Sequence, residues 1–374
     1  MTDLVGPPMN ILHAVRALDV GGVTTYVYRL TKGLVERGHR VTILAQEGSW
    51  QEAPPAGVNW VRCRWPGDRD LVAWVAAQNF DLVNTHNYGP TSRFGSLLCR
   101  RLHLPYIMTA HGPRHVLQRL AFRAWSNQVL VVSEADRSNV TAFGGISPDR
   151  VETGFIGMDT NRFRPGLESG AQLDALGVAP GTPIVTHITR FDTSKVPVTF
   201  ALLNALPALC ERVPELTALL VGNGARFDEV AEAAMSVNLV AGRKAAIVMN
   251  ARCDVPELLN LSSALVATAT TALEGMACTV PTIGAGRTGY FGIITPHNFE
   301  QGHRICFGDH GRSPSEIKQE ILTADLLAIL KDQSAARCLA LGNRRLIEAH
   351  YSAERMVDHV ERTYRKILTG ASFR

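Results

Sequence analysis

Two histidines, His86 and His111, each follow a short apolar run that is typical of a buried strand. A histidine can donate a hydrogen bond to a hydroxyl or a phosphate, and it can move a proton near neutral pH. Because parallel strands end at a common edge of their sheet, both histidines are expected at one binding site. Taken alone, each is equally well explained as a helix-capping or packing residue.

Two cations, Arg190 and Lys195, lie in the loop after the apolar run 183–188. At the carboxyl end of a strand, such a pair can clamp a diphosphate and stabilise the charge on a departing one. Without further context, a solvated surface loop is the better explanation of the pair.

Small residues mark two further candidate positions. Gly21 and Gly22 stand between the first apolar run and a helical pattern, where backbone amides can approach an anion, although an ordinary tight turn also explains them. The Thr270-Thr271 turn precedes Glu274, which is expected in the first turns of a helix. Any carboxylate is favoured there electrostatically, but this one also suits the two ribose hydroxyls of a nucleotide.

These residues must be positioned by the alternating apolar runs and amphipathic segments around them. The pattern over 23–36 repeats apolar residues at spacings of three and four, which predicts a helix that ends near Gly38. Strands are predicted at 10–15, 40–45, 58–63, 82–85, 106–109 and 129–132. Such alternation is typical of βαβ units and of a parallel sheet buried on both faces.

The alternation restarts after Pro165, across a polar stretch at 166–182 that is rich in glycine and proline and is expected to be a linker. The second series predicts strands at 183–188, 216–221, 246–249, 264–267 and 282–283, and helices at 198–212, 226–235, 315–331, 334–350 and 353–368. The expected fold is α/β, with two Rossmann-like, doubly wound domains at 1–165 and 166–352 that face each other across a cleft.

Composition excludes several classes of protein. The chain has 374 residues, 46% of them hydrophobic and 19% charged, which is typical of a globular protein, and neither a transmembrane helix nor a secretory signal is expected. Residues 1–165 carry 18 basic and 13 acidic side chains, a surplus too dilute for a nucleic-acid partner but suited to an anionic substrate or a lipid surface. The seven cysteines are scattered, so the sequence indicates neither a zinc site nor a disulfide framework. A reducing cytoplasm is therefore the expected compartment.

Arg114, His115, Arg119 and Arg123 form the basic side of an amphipathic segment. Basic amphipathic helices can lie on an anionic membrane surface. A helix that packs on its own domain is the preferred interpretation, so peripheral membrane contact is not favoured.

Taken in order, the motifs of this chain resemble those of the retaining GT-B glycosyltransferases of glycosyltransferase family 4. Gly21-Gly22 leads into Leu34-Val35-Glu36-Arg37-Gly38-His39-Arg40-Val41, which is similar to the helix-to-strand passage of that family. Further matching segments follow in the expected order at 80–86, 109–112, 132–134, 157–165, 190–195, 221–224 and 274–281. No single motif is specific, whereas all of these in the correct order over about 260 residues identify the family.

The resemblance implies that a sugar is moved from a nucleoside diphosphate sugar to a small-molecule, glycan or lipid-linked acceptor, with retention at the anomeric carbon. It implies no cofactor and no metal ion, and the departing phosphate would assist deprotonation of the acceptor. A C-terminal helix near 353–368 would cross back onto the first domain.

The resemblance also assigns roles to the candidate residues. His111 would contact the donor sugar, while Arg190 and Lys195 would hold the diphosphate and stabilise it as the leaving group. Glu274 would bind the ribose hydroxyls. The remaining residues assigned to the donor are Gly21, Gly22, Gly222, Thr270 and Thr271.

The chain departs from the family pattern before Glu274. The family places a second glutamate eight residues earlier, where this chain has Val266, and the loop between the two positions is shorter. A short-loop branch of the family has a segment similar to Gly292-Ile293-Ile294-Thr295-Pro296-His297-Asn298-Phe299. In this branch Thr270 and Thr271 would contact the sugar or phosphate in place of the missing loop.

Two alternatives stay open on sequence grounds. The first is a nucleotide-sugar 2-epimerase or hydrolase on the same fold, since such enzymes also keep a ribose-binding glutamate after a short loop. The second is a sugar-nucleotide-binding protein without catalytic activity, which the missing glutamate would permit. The Gly21-Gly22 loop and His86 favour a transferase that also binds an acceptor.

Overall fold

The computed structural model describes residues 6–50, 52–65, 69–112 and 128–370. It consists of two compact units. The N-terminal unit comprises Met1–Gly157 and Ala353–Arg374, and the C-terminal unit comprises Met158–Ser352. The chain leaves the first unit after Gly157, whereas the sequence placed the change of domain after Pro165.

The N-terminal unit is built on a seven-stranded parallel sheet in the order β3-β2-β1-β4-β5-β6-β7. Its strands are β1 (Asn10–Ala17), β2 (Arg40–Gln46), β3 (Val58–Arg62), β4 (Leu82–His86), β5 (Tyr106–Ala110), β6 (Gln128–Val131) and β7 (Val151–Thr153). Its helices are α1 (Gly22–Glu36), α2 (Arg69–Ala77), α3 (Pro90–Leu102) and α4 (Glu134–Ala142). Every residue of β4, β5 and β6 is buried, as expected of strands covered on both faces.

The C-terminal unit contains a six-stranded sheet in the order β10-β9-β8-β11-β12-β13. Its strands are β8 (Ile184–Ile188), β9 (Thr217–Val221), β10 (Ala246–Met249), β11 (Ala264–Ala267), β12 (Thr282–Gly286) and β13 (Gly289–Ile293), and only β13 is antiparallel to its neighbour. Its helices are α5 (Gly170–Leu176), α6 (Val196–Arg212), α7 (Phe227–Ala241), α8 (Val255–Leu261), α9 (Ala269–Ala277), α10 (Phe299–Arg304), α11 (Gln319–Lys331) and α12 (Gln333–His350). The sheet and its helices enclose one apolar core.

The last helix, α13 (Ala353–Leu368), belongs to the N-terminal unit, as the resemblance implies. It packs against α1, where a side chain at Gly33 would come within 2.5 Å of Val357. The contact is extended by Glu361, whose carboxylate accepts from Arg37 at 2.9 Å and from Arg365 at 2.7 Å. The two ends of the C-terminal unit lie side by side, because the N–H of Met158 donates to the carbonyl of Tyr351 at 2.8 Å.

Most predicted elements are present, and the exceptions have local causes. The predicted helix at 315–331 begins only at Gln319, because Ser315 exchanges backbone hydrogen bonds with Tyr290 and is held extended. The short strands β7 and β13 were not predicted. In β13 the glycines at 289 and 292 have positive φ, and they interrupt the alternation of apolar and polar residues by which a strand is recognised in a sequence.

The basic segment with Arg114, His115, Arg119 and Arg123 lies outside the described residues. Within the part of the chain that is described, no helix is both long enough and apolar enough to cross a membrane.

Candidate functional site

In the N-terminal unit, the first candidate position is the turn between β1 and α1. Gly21 precedes the first residue of the helix, Gly22, and its φ of 156° is one that a residue with a side chain rarely adopts. The carbonyl of Gly21 accepts from the N–H of Thr25 at 3.1 Å, which starts the helical ladder. Gly21 has no side chain that could cap the first-turn amides of α1, and helix N-termini favour anions.

His111 follows β5 and is fixed by contacts on several sides. Its backbone N–H donates to Oδ1 of Asn87 at 3.1 Å, and its ring Nε2 lies 2.9 Å from Nδ1 of His86. The ring of Tyr26, which lies on α1, meets the His111 ring edge-on at 4.7 Å between centroids. The structure therefore brings Tyr26 of α1, His86 and His111 together. His86 does not follow its strand as predicted, because it is the last residue of β4 and is buried.

In the C-terminal unit, Lys195 ends the loop between β8 and α6, and its Nζ lies 3.2 Å from the carboxylate of Asp309. Burial alone would raise the pKa of Asp309, but the charges of Lys195, His310 and Arg287 hold it below its usual range. The carboxylate is thus ionised and holds the ammonium group of Lys195 in place.

Arg190 does not join this cluster. Its side chain is 63% exposed, and its guanidinium lies 3.5 Å from Asp192 in the same loop. The two cations that were predicted to act together therefore occupy different environments, with Lys195 half-buried and Arg190 near the solvent.

The second cation of the cluster is Arg287, which was not predicted. It follows β12, and its Nε donates to the backbone carbonyl of Asp309 at 2.7 Å and lies 3.7 Å from the carboxylate. A basic residue directly after a strand is the same signal that singled out Arg190 and Lys195. It was missed because the end of β12 was predicted too early, at residue 283 rather than Gly286.

A small pocket opens at the carboxyl ends of β8, β11 and β12. It is lined by His187, Ile188, Thr189, Lys195, Val198, Ala267, Thr268, Ala285 and Gly286. Gly286 is required by close approach, because a side chain there would overlap Thr268 and lie 2.6 Å from the carbonyl of Gly308. The pocket lies where ligands bind in doubly wound folds.

Helix α9 begins beside this pocket. Thr268 precedes the helix, and Ala269 has a φ of +49°, which an alanine adopts only at a cost in strain. Thr270 and Glu274 are four residues apart, so they lie on one face of the helix, and both are buried. Thr271 lies in the first turn with Thr270, and Glu274 lies one turn further along the helix.

Gly222 has a packing role in the structure. Its N–H donates to the carbonyl of Met249 at 2.9 Å, and a side chain at this position would overlap the carbonyl of Thr189. Because Gly222 has no side chain, the loop that carries Thr189, which lines the pocket, can pass close to the end of β9. Its predicted contact with the donor stays a prediction.

His187, which also lines the pocket, was not predicted as a site residue. Its Nδ1 lies 2.7 Å from the carbonyl of Val266, and its Nε2 lies 3.1 Å from Oγ1 of Thr199. Burial lowers the pKa of His187 to about 4, so the ring is neutral at physiological pH. Through these two hydrogen bonds His187 connects β8 to β11 and to α6 beside the pocket.

Comparison with known proteins supports the resemblance to glycosyltransferase family 4 that the sequence motifs indicated. Residues 20–162 match the model of Glycosyltransferase Family 4. The D-inositol 3-phosphate glycosyltransferase of Nocardia farcinica is 28% identical over 252 residues, which covers 54% of each chain. The chain therefore spans about half the length of the curated relatives it matches.

Two solved structures share the fold over nearly the whole chain. A glycosyltransferase from Rickettsia africae aligns with a TM-score of 0.76 and 15% identity, covering 96% of this chain and 99% of that one. Anabaena HepE in complex with UDP-glucose aligns with a TM-score of 0.71 and 16% identity, covering 96% and 100%. At these identities the likeness concerns the fold alone. Together with the family match over residues 20–162 and the named relatives, it shows that this chain is similar to GT-B glycosyltransferases of the family 4 type.

Proposed function

We propose that the protein transfers a sugar from a nucleoside diphosphate sugar to an anionic acceptor, with retention of configuration at the anomeric carbon. The observation that carries the proposal is the convergence of Lys195 and Arg287 on Asp309, next to the pocket and the first turn of α9. Two cations and a helix N-terminus form an arrangement suited to a diphosphate.

In the proposed reaction, the bond between the anomeric carbon and the diphosphate oxygen breaks while the acceptor oxygen attacks from the same face. The diphosphate leaves with the electron pair of the broken bond, and Lys195 and Arg287 stabilise its growing negative charge. One of its phosphate oxygens takes the proton of the acceptor hydroxyl. Entry and departure on one face preserve the configuration.

The other predicted residues are assigned to binding. The first-turn amides of α9, at Thr270 and Thr271, suit a phosphate or a sugar hydroxyl, and the carboxylate of Glu274 suits the ribose hydroxyls. In the N-terminal unit, we assign His111 to the donor sugar and the Gly21-Gly22 amides to the donor phosphate and acceptor. These assignments rest on the family resemblance and on the positions of the residues at strand ends.

Asp309 has a supporting part in this proposal. An ammonium group on a flexible stem can take many positions, and the buried carboxylate restricts Lys195 to one of them before the donor arrives. The arriving diphosphate then meets a cation that is already placed, which reduces the ordering cost of binding.

The donor is tested by thermal denaturation in the presence of UDP-, GDP-, TDP- and ADP-sugars, because a ligand that binds only the folded protein raises its stability. We expect one nucleotide to raise the midpoint more than the others, and UDP-glucose, which is bound in the HepE structure, is the first probe. An unchanged midpoint with all four at millimolar concentration would contradict donor binding.

The acceptor is proposed to be anionic on two grounds. Residues 1–165 carry a net charge of +5, and the curated relatives are named D-inositol 3-phosphate glycosyltransferases. D-inositol 3-phosphate and unphosphorylated inositol therefore form a matched pair of probes. Turnover with the phosphorylated member alone supports an anionic acceptor, and equal turnover with both contradicts it. The scattered cysteines favour the cytoplasm as the compartment of the reaction.

A further inference from the structure

Three histidines of the N-terminal unit form a continuous hydrogen-bonded chain, which we call the histidine chain: His13, His86 and His111. Nδ1 of His13 lies 3.0 Å from Nε2 of His86, and Nδ1 of His86 lies 2.9 Å from Nε2 of His111. Successive rings stack with centroids 5.3 and 5.2 Å apart. The chain runs from the fully buried His13 in β1, through the buried His86 at the end of β4, to the half-buried His111.

The two inner histidines are neutral. Burial lowers the pKa of His13 to about 3, and burial together with the neighbouring histidines lowers the pKa of His86 well below its ordinary value. A neutral imidazole carries one N–H and one lone pair, so each can donate once and accept once in its ring plane. Every hydrogen bond in the chain must therefore point in the same direction.

The inner end of the chain decides that direction. Among the described residues, Nε2 of His13 has no hydrogen-bond partner, and it is buried. A proton on this nitrogen would bury an unsatisfied donor, and unsatisfied buried N–H groups are rarer in proteins than unsatisfied acceptors. The proton of His13 therefore belongs on Nδ1, which donates to Nε2 of His86. His86 then carries its proton on Nδ1 and donates to Nε2 of His111.

We propose that His13 and His86 are positioning residues that hold His111 with its proton on Nδ1, so that it meets the substrate as a hydrogen-bond donor. The lone pair on Nε2 of His111 is occupied by the bond from His86, so this nitrogen is not available as a base. The ring is oriented by the same bond and by the edge-on contact with Tyr26. That the partner of His111 is a donor sugar rests on the proposed function; the tautomer does not.

A polar residue beside the histidine chain has hydrogen-bond partners of its own among the described residues. Asn84, on the same strand as His86, donates to the hydroxyl of Tyr364 at 2.6 Å and accepts from Thr109 at 2.9 Å. Both of these contacts are made to residues outside the histidine chain. The direction of the chain therefore follows from its inner end, at Nε2 of His13.

Nitrogen-15 NMR of the free, unliganded protein tests the tautomer directly, because the protonated and unprotonated ring nitrogens have distinct chemical shifts. We expect His111 to be protonated on Nδ1 and unprotonated on Nε2. The reverse assignment overturns the proposal. His187 is an internal reference, since its Nδ1 faces the carbonyl of Val266 and must carry a proton.

Two variants of His86 separate positioning from mere packing. The amide of His86→Gln can accept on its oxygen and donate from its nitrogen, so we expect it to keep the His111 tautomer. His86→Phe fills the space without hydrogen bonds, and we expect the Nδ1 tautomer of His111 to lose its dominance. The His187 signals should stay unchanged in both variants.

Turnover gives the functional readout of the same pair. We expect kcat to fall about 10²-fold in His86→Phe with the KM for the donor sugar nearly unchanged, and to recover at least partly in His86→Gln. Equal losses in both variants with an unaltered tautomer would overturn the positioning role. If the wild-type protein shows no turnover with any donor, the proposed function fails, while the tautomer measurement stands by itself.

Discussion

At the scale of single residues, Lys195 is expected to carry the largest share of leaving-group stabilisation. Its ammonium group is half-buried, held by Asp309, and lines the pocket beside α9. Removing one preorganised charge from a developing anion typically costs 10²- to 10³-fold in turnover. We expect Lys195→Ala to lower kcat by about that factor in a steady-state assay of nucleotide release, whereas the exposed Lys244→Ala should not. Equal turnover in both variants would contradict the assignment.

The geometry also ranks the two arginines. Arg287 shares Asp309 with Lys195, but Arg190 is mostly exposed and pairs with Asp192. Exposed ion pairs contribute little, whereas a half-buried cation aimed at a bound anion contributes more. We expect Arg287→Ala to lower kcat/KM for the donor at least tenfold more than Arg190→Ala. The opposite order in the same assay would restore the pairing of Arg190 with Lys195 that the sequence suggested.

At the scale of elements, Gly286 at the end of β12 sets how closely α9 can approach the sheet. A side chain there would overlap Thr268, which precedes α9, and would crowd the carbonyl of Gly308. We expect Gly286→Ala to destabilise the protein by about 1–3 kcal/mol and to weaken nucleotide binding, because the start of α9 must shift.

Calorimetric titration with UDP, alongside chemical denaturation, checks both parts of this expectation. Gly170→Ala is the matched control, since a side chain at this position meets open space and the residue begins a helix. It should leave nucleotide affinity unchanged. Unchanged UDP affinity in Gly286→Ala would separate this glycine from the site.

Elements also show what a sequence can and cannot reveal about this molecule. His86, His111 and Lys195 could be found because a residue after an apolar run lies at the carboxyl edge of a parallel sheet. His13 could not, because it lies inside β1, and only the pairing of β1 with β4 brings it to His86.

Asp309 escaped prediction for a related reason. Nothing in its own sequence neighbourhood places it beside Lys195, more than a hundred residues earlier, and the turn that carries it has residues with positive φ at Cys306 and Phe307. Local patterns identify strand ends, whereas contacts made by irregular loops depend on the whole fold.

At the scale of the whole molecule, stability should fall in mild acid. The unfolded chain binds a proton at His187 below its ordinary pKa of 6.5, whereas in the folded chain the pKa is about 4. Between these values the unfolded state binds more protons, so stability is lost as the pH decreases, by about 1.4 kcal/mol per pH unit for one such histidine. From pH 6.5 to 5 the loss is about 1.5 kcal/mol, because the full slope is reached only below the unfolded pKa.

Comparison of the wild type with His187→Gln isolates this contribution. Unfolding midpoints measured at pH 7.5, 6.5 and 5 should fall less steeply in the variant, because glutamine does not titrate. The exposed His297→Gln is the control and should keep the wild-type slope. Parallel curves for all three proteins would show that the burial of His187 does not govern the acid response.

The whole account depends on transfer with retention, and the anomeric configuration of the product tests it most directly. The protein is incubated with the nucleotide sugar that stabilises it most and with D-inositol 3-phosphate, and the product is followed by proton NMR. From an α-linked donor we expect an α-linked product, with nucleoside diphosphate released in equal amount. A β-linked product would contradict the same-face mechanism, and free or epimerised sugar with the acceptor unconsumed would contradict transfer itself.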